Sequence, residues 1–300
     1  MEKKRSSKTQ LIFHTMMIPA VVLIVLFSYL PMLGLVMAFQ DYKPWLGFTQ
    51  SEWVGLKHFK YIFERDDGIQ VIMNTFIISG MKIIAQNSFP LFFALLLNEV
   101  RKMAFKRFVQ TLVYLPHFLS WVIFSGILID ILSVNGLVNQ FLVQVFHMKP
   151  IPFFSDGTTY RYMVVATDVW KEFGFATIVY LAALSGVNPD LYEAAEIDGA
   201  ARLKQTWHIT LPAIMPVVIV LLTLSLGNIL NANFDQIFNT YSPLVYDKGD
   251  IIDTFVYRVA LISGEFSFGT AIGMFKSVVG LVLIVTCYRL AYKLANYRIF

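Results

Sequence analysis

Asp168, Lys171 and Glu172 stand at i, i+3 and i+4 inside the largely apolar run from Tyr160 to Leu184, a spacing that sets all three along one side of a helix. Lys171 is placed to neutralise Asp168 locally. Ionisable groups in an apolar span cost a few kcal/mol, so they face protein or water and are functional candidates. Trp170 and Phe173 flank the three charges. Polar groups beside ring faces suit a hydroxyl-rich solute such as a sugar, because hydroxyls need hydrogen bonds while the C–H face can lie on a ring. The rival reading is an ion pair between helices. Asn228, Asn231, Asn233 and Asp235 form a second polar stripe, read as the outer end of a helix over Ala213–Asn233, with solute contact or interhelical hydrogen bonding as its two uses. Lys82, Gln86, Asn87, Asp130 and Lys276 are weaker candidates of the same kind.

Covalent and hydrolytic chemistry finds no footing. A phosphate-binding loop needs G-x-x-x-x-G-K-[ST], so that backbone amides and a lysine cradle phosphates. The nearest approach, Gly269 through Gly273 to Lys276-Ser277, has the wrong spacing and lies in an apolar run. There Gly269, Gly273, Ser277 and Gly280 read instead as a small-residue face for close helix packing. No G-x-S-x-G or H-E-x-x-H occurs, and His14, His58, His117, His147 and His208 are scattered. Cys287 is the sole cysteine, which excludes an intrachain disulfide and a cysteine-based metal cluster. No catalytic residue, metal site or resident cofactor is expected, and the chain does not read as an enzyme.

The elements that position these groups follow from hydropathy. The chain is 57% hydrophobic and only 15% charged, against roughly 45–50% apolar in soluble domains. Mean hydropathy is +0.62. A membrane-spanning helix needs about 20 mainly apolar residues. Six segments qualify: Leu11–Phe39, Gln70–Leu97, Val109–Leu132, Tyr160–Leu184, Ala213–Asn233 and Phe268–Leu294. The first run is longer than the about 7–15 apolar residues of a secretory signal, so it reads as a retained helix. An all-α polytopic membrane protein of about six spans, folded as one domain over 1–300, is the simplest architecture. The net charge of +4 comes from basic residues at the edges of apolar runs, not from the aromatic-interleaved patch of a nucleic-acid binder. With the N-terminus inside, thirteen Lys and Arg fall in inner segments, among them Lys3, Lys4, Arg5, Lys8, Lys293 and Arg298, against eight in outer ones. That asymmetry puts both termini in the cytoplasm.

The loop between the fourth and fifth spans, 185–212, is unlike the others. Asn188-Pro189-Asp190 opens a helix, acids at Asp190, Glu193 and Glu196 suit its positive end, and Gly199 permits a turn. A second amphipathic piece repeats Leu203, Trp207 and Leu211 before Pro212. Such a knob has no role in crossing a bilayer, so it is expected to meet a partner.

Glu193-Ala194-Ala195, three residues, Gly199, nine residues and Ile209-Thr210-Leu211-Pro212 resemble the EAA loop of ABC importer permeases, at every signature position. The runs Tyr29-Leu30-Pro31-Met32 and Gly273 to Ser277 are similar to carbohydrate-importer permeases, closest to the oligo- and polysaccharide branch of these binding-protein-dependent inner-membrane components. The resemblance implies the type I ABC importer permease fold in a bacterial inner membrane. It implies a coupling helix seated in a cleft of a cytoplasmic ATPase, with Glu193 as a charged contact, Ala194 and Ala195 permitting close approach, Gly199 making the turn, and Ile209, Leu211 and Pro212 completing the motif. It also implies a second similar permease, two ATPase subunits that bind ATP and Mg, an extracellular sugar-binding protein, and no nucleic acid. Permeases for other solutes, or a stand-alone secondary transporter, are the alternatives.

Overall fold

A computed structural model describes the backbone of residues 7–295 and the side chains of 12–289; Lys3, Lys4, Arg5 and Arg298, and the side chains of Lys8 and Lys293, lie outside the described residues. The described residues pack as two compact units: 7–64 with Val256–Phe275, and Arg65–Phe255 with 276–295.

In the first unit, α1 (Ser7–Ile24) continues through a π turn at Val25–Tyr29 and a 3-10 stretch at Leu33–Phe39. Its residues 12–33 are all exposed and apolar on nearly every side, as a helix facing lipid or another subunit must be. A two-residue hairpin follows, β1 (Gln40–Asp41) antiparallel to β2 (Glu52–Trp53) with Gln40 opposite Trp53, then α2 (Lys57–Glu64).

The second unit is built on α3 (Asp66–Glu99) and α7 (Gly157–Ser185). Asp66 and Asp67 occupy the first turn of α3, where carboxylates oppose the helix dipole. Asp156 caps α7: its Oδ2 accepts from the Thr159 hydroxyl and amide, each at 2.7 Å. Those bonds hold the carboxyl below its usual range. Between the two long helices run α4 (Met103–Tyr114), α5 (Trp121–Leu132) and α6 (Leu137–Phe146). Later in the chain come α8 (Asp190–Ile197), α9 (Arg202–Gln205), α10 (Leu211–Gly227), α11 (Phe234–Phe238) and α12 (Ile252–Val256); α13 (Phe266–Ala295) begins in the first unit and continues in the second from Lys276. Two apolar clusters tie the second unit together. One gathers Ile78, Tyr160, Val164, Ala232 and Ile251; the other joins Ala94, Tyr180, Leu184 and Ile214.

Among the described residues five stretches are long and apolar enough to cross a membrane: Ile12–Phe39, Asp66–Glu99, Trp121–Phe146, Arg202–Gly227 and Phe266–Arg289. The expected span at 160–184 is present as α7, 29 residues long, but Arg161, Asp168, Lys171 and Glu172 make it too polar to qualify by composition. It does not need an apolar surface all round, because Asp168 and Lys171 are buried against its neighbours.

Two boundaries differ from expectation. Val109–Leu132 is not one helix: a 3-10 turn at Leu115–Phe118 and extended Leu119 and Ser120 divide α4 from α5. Pro116 has no N–H for the ladder, and the Ser120 hydroxyl caps α5 by accepting from the Ile123 amide at 3.3 Å. The apolar stretch starts at that cap instead. Likewise, α10 ends at Gly227, so the polar residues from Asn228 onward occupy a turn rather than the face of a continuing helix.

α4 reaches α7 at Gly174, where an added Cβ would lie 2.3 Å from the Val113 carbonyl oxygen. Because the obstacle is backbone, Gly174→Ala is expected to cost about 1–3 kcal/mol by overpacking, read as a lowered unfolding midpoint of the purified protein; Gly80→Ala, with open space at its Cβ, is the control.

Candidate functional site: an exposed loop knob and a buried polar belt

The knob at 185–212 forms because its ends are locally satisfied. Asn188 Oδ1 accepts from the Asp190 amide at 3.0 Å, starting α8. At the other end the Ala200 amide donates to the Ala195 carbonyl at 2.8 Å and the Gly199 amide to that of Glu196 at 3.0 Å. This paired pattern is a Schellman cap, which requires a left-handed residue; Gly199 supplies it with φ of 74°. The chain then turns into α9, which continues through a π turn at Thr206–Thr210 into α10.

Three bonds fasten the knob. The Tyr192 hydroxyl lies 2.9 Å from Thr210 Oγ1 at the root of α10. Gln205 Nε2 donates to the Ala200 carbonyl at 2.9 Å. Arg202 pairs with Glu99, the last residue of α3, at 3.0 Å, an exposed contact worth little alone but one that links the knob to the longest helix. Of the motif residues, Glu193, Ala194, Gly199 and Pro212 are exposed, whereas Ala195, Ile209 and Leu211 are half-buried. Ile197 and Leu203 are 87% and 82% exposed, and Trp207 and Leu191 also stand in the open. The expected apolar row Leu203, Trp207, Leu211 is therefore divided: the first two point outward and Leu211 turns partly inward.

The belt lies within the second unit, where α3, α7, α10 and the 228–238 segment meet. Asp168 is 2% exposed. Its Oδ1 is 3.2 Å from Lys82 Nζ and accepts from Asn233 Nδ2 at 3.1 Å, while Oδ2 accepts from Gln86. Lys82 also donates to the Ala232 carbonyl at 2.9 Å and to Gln236. Gln236 closes the network by donating to the Val164 carbonyl at 2.8 Å and to Thr167 at 3.0 Å. A buried charge persists only when paired and hydrogen-bonded in this way. The expected local neutralisation of Asp168 by Lys171 is corrected: helix spacing permits it, but Lys82 arrives from α3 with better geometry. Lys171 instead donates to Glu172 at 2.9 Å and to the His117 carbonyl at 3.0 Å, with its ammonium 5.1 Å from the Trp121 ring centre.

Glu172 is held at both oxygens, by Lys171 on Oε1 and by His117 Nδ1 on Oε2 at 2.6 Å. The His117 ring stacks on Phe175 at 4.1 Å. Glu172 and Phe175 line a groove of about 270 Å3 together with Gln86, Asn87, Tyr180 and Ser225. Carboxylate, amide and hydroxyl groups around a ring give it both hydrogen-bonding partners and a stacking face.

Of the residues singled out for the solute path, Glu172 lines this groove, and so do the weaker candidates Gln86 and Asn87. Asp168 and Lys171 are committed to buried pairs, and Trp170 packs on Phe124 with ring centres 5.2 Å apart, about half exposed. Asn228, Asn231 and Asp235 are exposed. Asn233, left-handed at φ 71°, turns inward to Asp168 and caps α11 by accepting from the Gln236 amide. Sequence reasoning missed His117 and Gln236, whose partners lie 55 and 69 to 154 positions away; no local spacing marks such contacts.

The helical fold with its knob and inward-facing polar belt defines a polytopic transport component. Residues 86–299 match the family model of the binding-protein-dependent transport system inner membrane component, and the chain belongs to that family: it is a permease subunit of an ABC importer. It is 43% identical to the polygalacturonan/rhamnogalacturonan transport system permease protein YteP of Bacillus subtilis (strain 168), over 96% of this chain and 89% of that protein. It is 43% identical to Protein LplB of the same organism, over 93% and 88%. Among solved structures, a bacterial ABC transporter that imports the acidic polysaccharide alginate matches with a TM-score of 0.88 and 36% identity, covering 96% of this chain and 97% of the other. The alginate transporter in complex with its alginate pentasaccharide-bound periplasmic protein matches with a TM-score of 0.87 and 36% identity, over 95% and 96%.

Proposed function

We propose that this permease forms half of a translocation path for an oligo- or polysaccharide and is driven by ATP hydrolysis in separate subunits. ATP and Mg are held by two cytoplasmic ATPase subunits; a second similar permease completes the path, and an extracellular sugar-binding protein delivers the solute. Both termini and the 185–212 knob lie in the cytoplasm, in keeping with the excess of Lys and Arg in the segments on that side. The saccharide cargo is supported by relatives named for polygalacturonan, rhamnogalacturonan and alginate, and by the groove that pairs Glu172, Gln86 and Ser225 with Phe175. Asp168, Trp170, Lys171, Asn228, Asn231 and Asp235 belong to this reading as residues along or supporting the path.

The observation that carries the ATPase reading is the exposed apolar set Leu191, Ile197, Leu203 and Trp207 around Glu193 and Gly199, rigidly tied to α10 through Tyr192 and to α3 through Arg202. Large apolar side chains held open to water on a braced turn mark a contact surface. Its tie to α3 lets a push on the knob reach the belt, to which that helix gives Lys82 and Gln86. The test is capture: the tagged chain should bring down a nucleotide-binding subunit from its own membranes, and Trp207→Asp should reduce that capture at least tenfold with membrane insertion unchanged. Undiminished capture by Trp207→Asp and Leu203→Asp would remove the surface from the interface, and transport by the wild-type chain with no ATPase present would favour a stand-alone secondary transporter.

A further inference from the structure

A cleft of about 440 Å3 lies wholly within the first unit, apart from the groove of the second, and its volume falls in the roughly 300–1,000 Å3 range of small-molecule sites. Its lining includes Lys57 and Lys60 of α2, Asp41 from the hairpin, Glu64 at the end of α2, Glu265 from the turn before α13, and Tyr61. The walls are held in place. His58 Nε2 donates to the Gln40 carbonyl at 3.1 Å. The Tyr42 amide donates to Ser267 Oγ at 2.8 Å, across 225 positions, and Tyr61 packs on Phe268 with ring centres 5.0 Å apart.

The lining selects by chemistry. Two ammonium groups exclude a divalent cation, and three carboxylates repel a phosphate. A lipid chain would desolvate the charged groups of the lining and offer them no partner; Asp41 already has one in Lys43, at 3.8 Å. A pyranose ring satisfies every wall at once: its hydroxyls donate to the carboxylates and accept from the lysines, and its C–H face covers Tyr61. Asp41 is neutralised by Lys43, so Lys57 and Lys60 against Glu64 and Glu265 leave the lining without net charge, which suits a neutral sugar better than a uronate.

We propose that this cleft is a saccharide subsite that takes one neutral pyranose residue at the outer face of the permease. It rests on the importer reading for its cargo class and its outer placement. The test uses the assembled transporter in lipid nanodiscs without the binding protein, with galactobiose as the neutral probe and digalacturonate as the acidic one, followed by saturation-transfer NMR. Galactobiose is expected to receive saturation from the wild type, at least threefold more than digalacturonate. Tyr61→Ala and Glu265→Gln should each lower that signal at least fivefold, while Tyr61→Phe retains it. Glu265 is exposed, so Glu265→Gln keeps the test open if Tyr61→Ala does not assemble. An absent wild-type signal, a signal that survives both variants, or a preference for digalacturonate would each overturn the subsite. Failure here with ATPase capture intact sinks the cleft alone; loss of ATPase capture with galactobiose still bound sinks the importer reading alone.

Discussion

Gly199→Val is expected to leave the permease inserted but to lower ATP-driven uptake at least tenfold, with ATP hydrolysis no longer responding to solute. No heavy atom lies within 4 Å of the position a Cβ would take, so the substitution meets no steric obstacle from neighbours. Its cost is in the backbone, because a left-handed conformation costs an L-residue about 1–2 kcal/mol and a β-branched one more. Losing φ of 74° breaks the two hydrogen bonds, donated by the Gly199 and Ala200 amides, that end α8 and re-aims Glu193 and Ala194 relative to Leu203 and Trp207. Gly199→Asn, which tolerates this conformation, should keep most of the uptake, and Glu193→Ala should fall between the two. Uptake measured in proteoliposomes decides it: near wild-type coupled transport by Gly199→Val would refute the turn's role in coupling.

The second large effect is on stability. Asp168→Ala removes the carboxylate that faces Lys82, Gln86 and Asn233, and leaves a buried ammonium with only neutral acceptors. Breaking a buried pair by removing one partner costs about 3–5 kcal/mol, whereas replacing both partners by apolar groups is often neutral. Asp168→Ala should therefore lower the unfolding free energy by that amount, and Lys82→Met combined with Asp168→Leu should recover most of it. Equal loss in the single and double variants, measured by denaturant unfolding in detergent, would show that the belt's worth does not reside in this pair. The same network holds Asn233 in its left-handed conformation, so the single variant should also loosen the 228–233 turn, visible as faster amide hydrogen exchange there.

Much of this was legible along the chain. The long apolar runs at 11–39, 70–97 and 268–294 report helices directly, because about 20 apolar residues in a row have few other stable fates. The knob was equally readable, since its cap, its glycine and its exposed apolar residues all act within a few positions of one another. The break at Ser120 was not foreseen: the run is apolar on both sides of it, and the turn depends on Pro116 and a single serine cap. The Asn228–Asp235 stripe failed as a helix face for a related reason, since α10 stops at Gly227 while polar residues continue at a spacing that resembles helical periodicity.

Local interactions with short sequence separation thus determined the class of the protein, its helices and its exposed loop at 185–212 from the amino-acid order alone. Which charges pair, and which line the groove, was decided only by tertiary packing. Asp168 has Lys171 three residues away on its own helix, yet its partner Lys82 comes from another helix 86 positions distant. A buried carboxylate takes whichever cation also satisfies the remaining acceptors and donors around it, and that set exists only once α3, α7 and the 228–238 segment have come together.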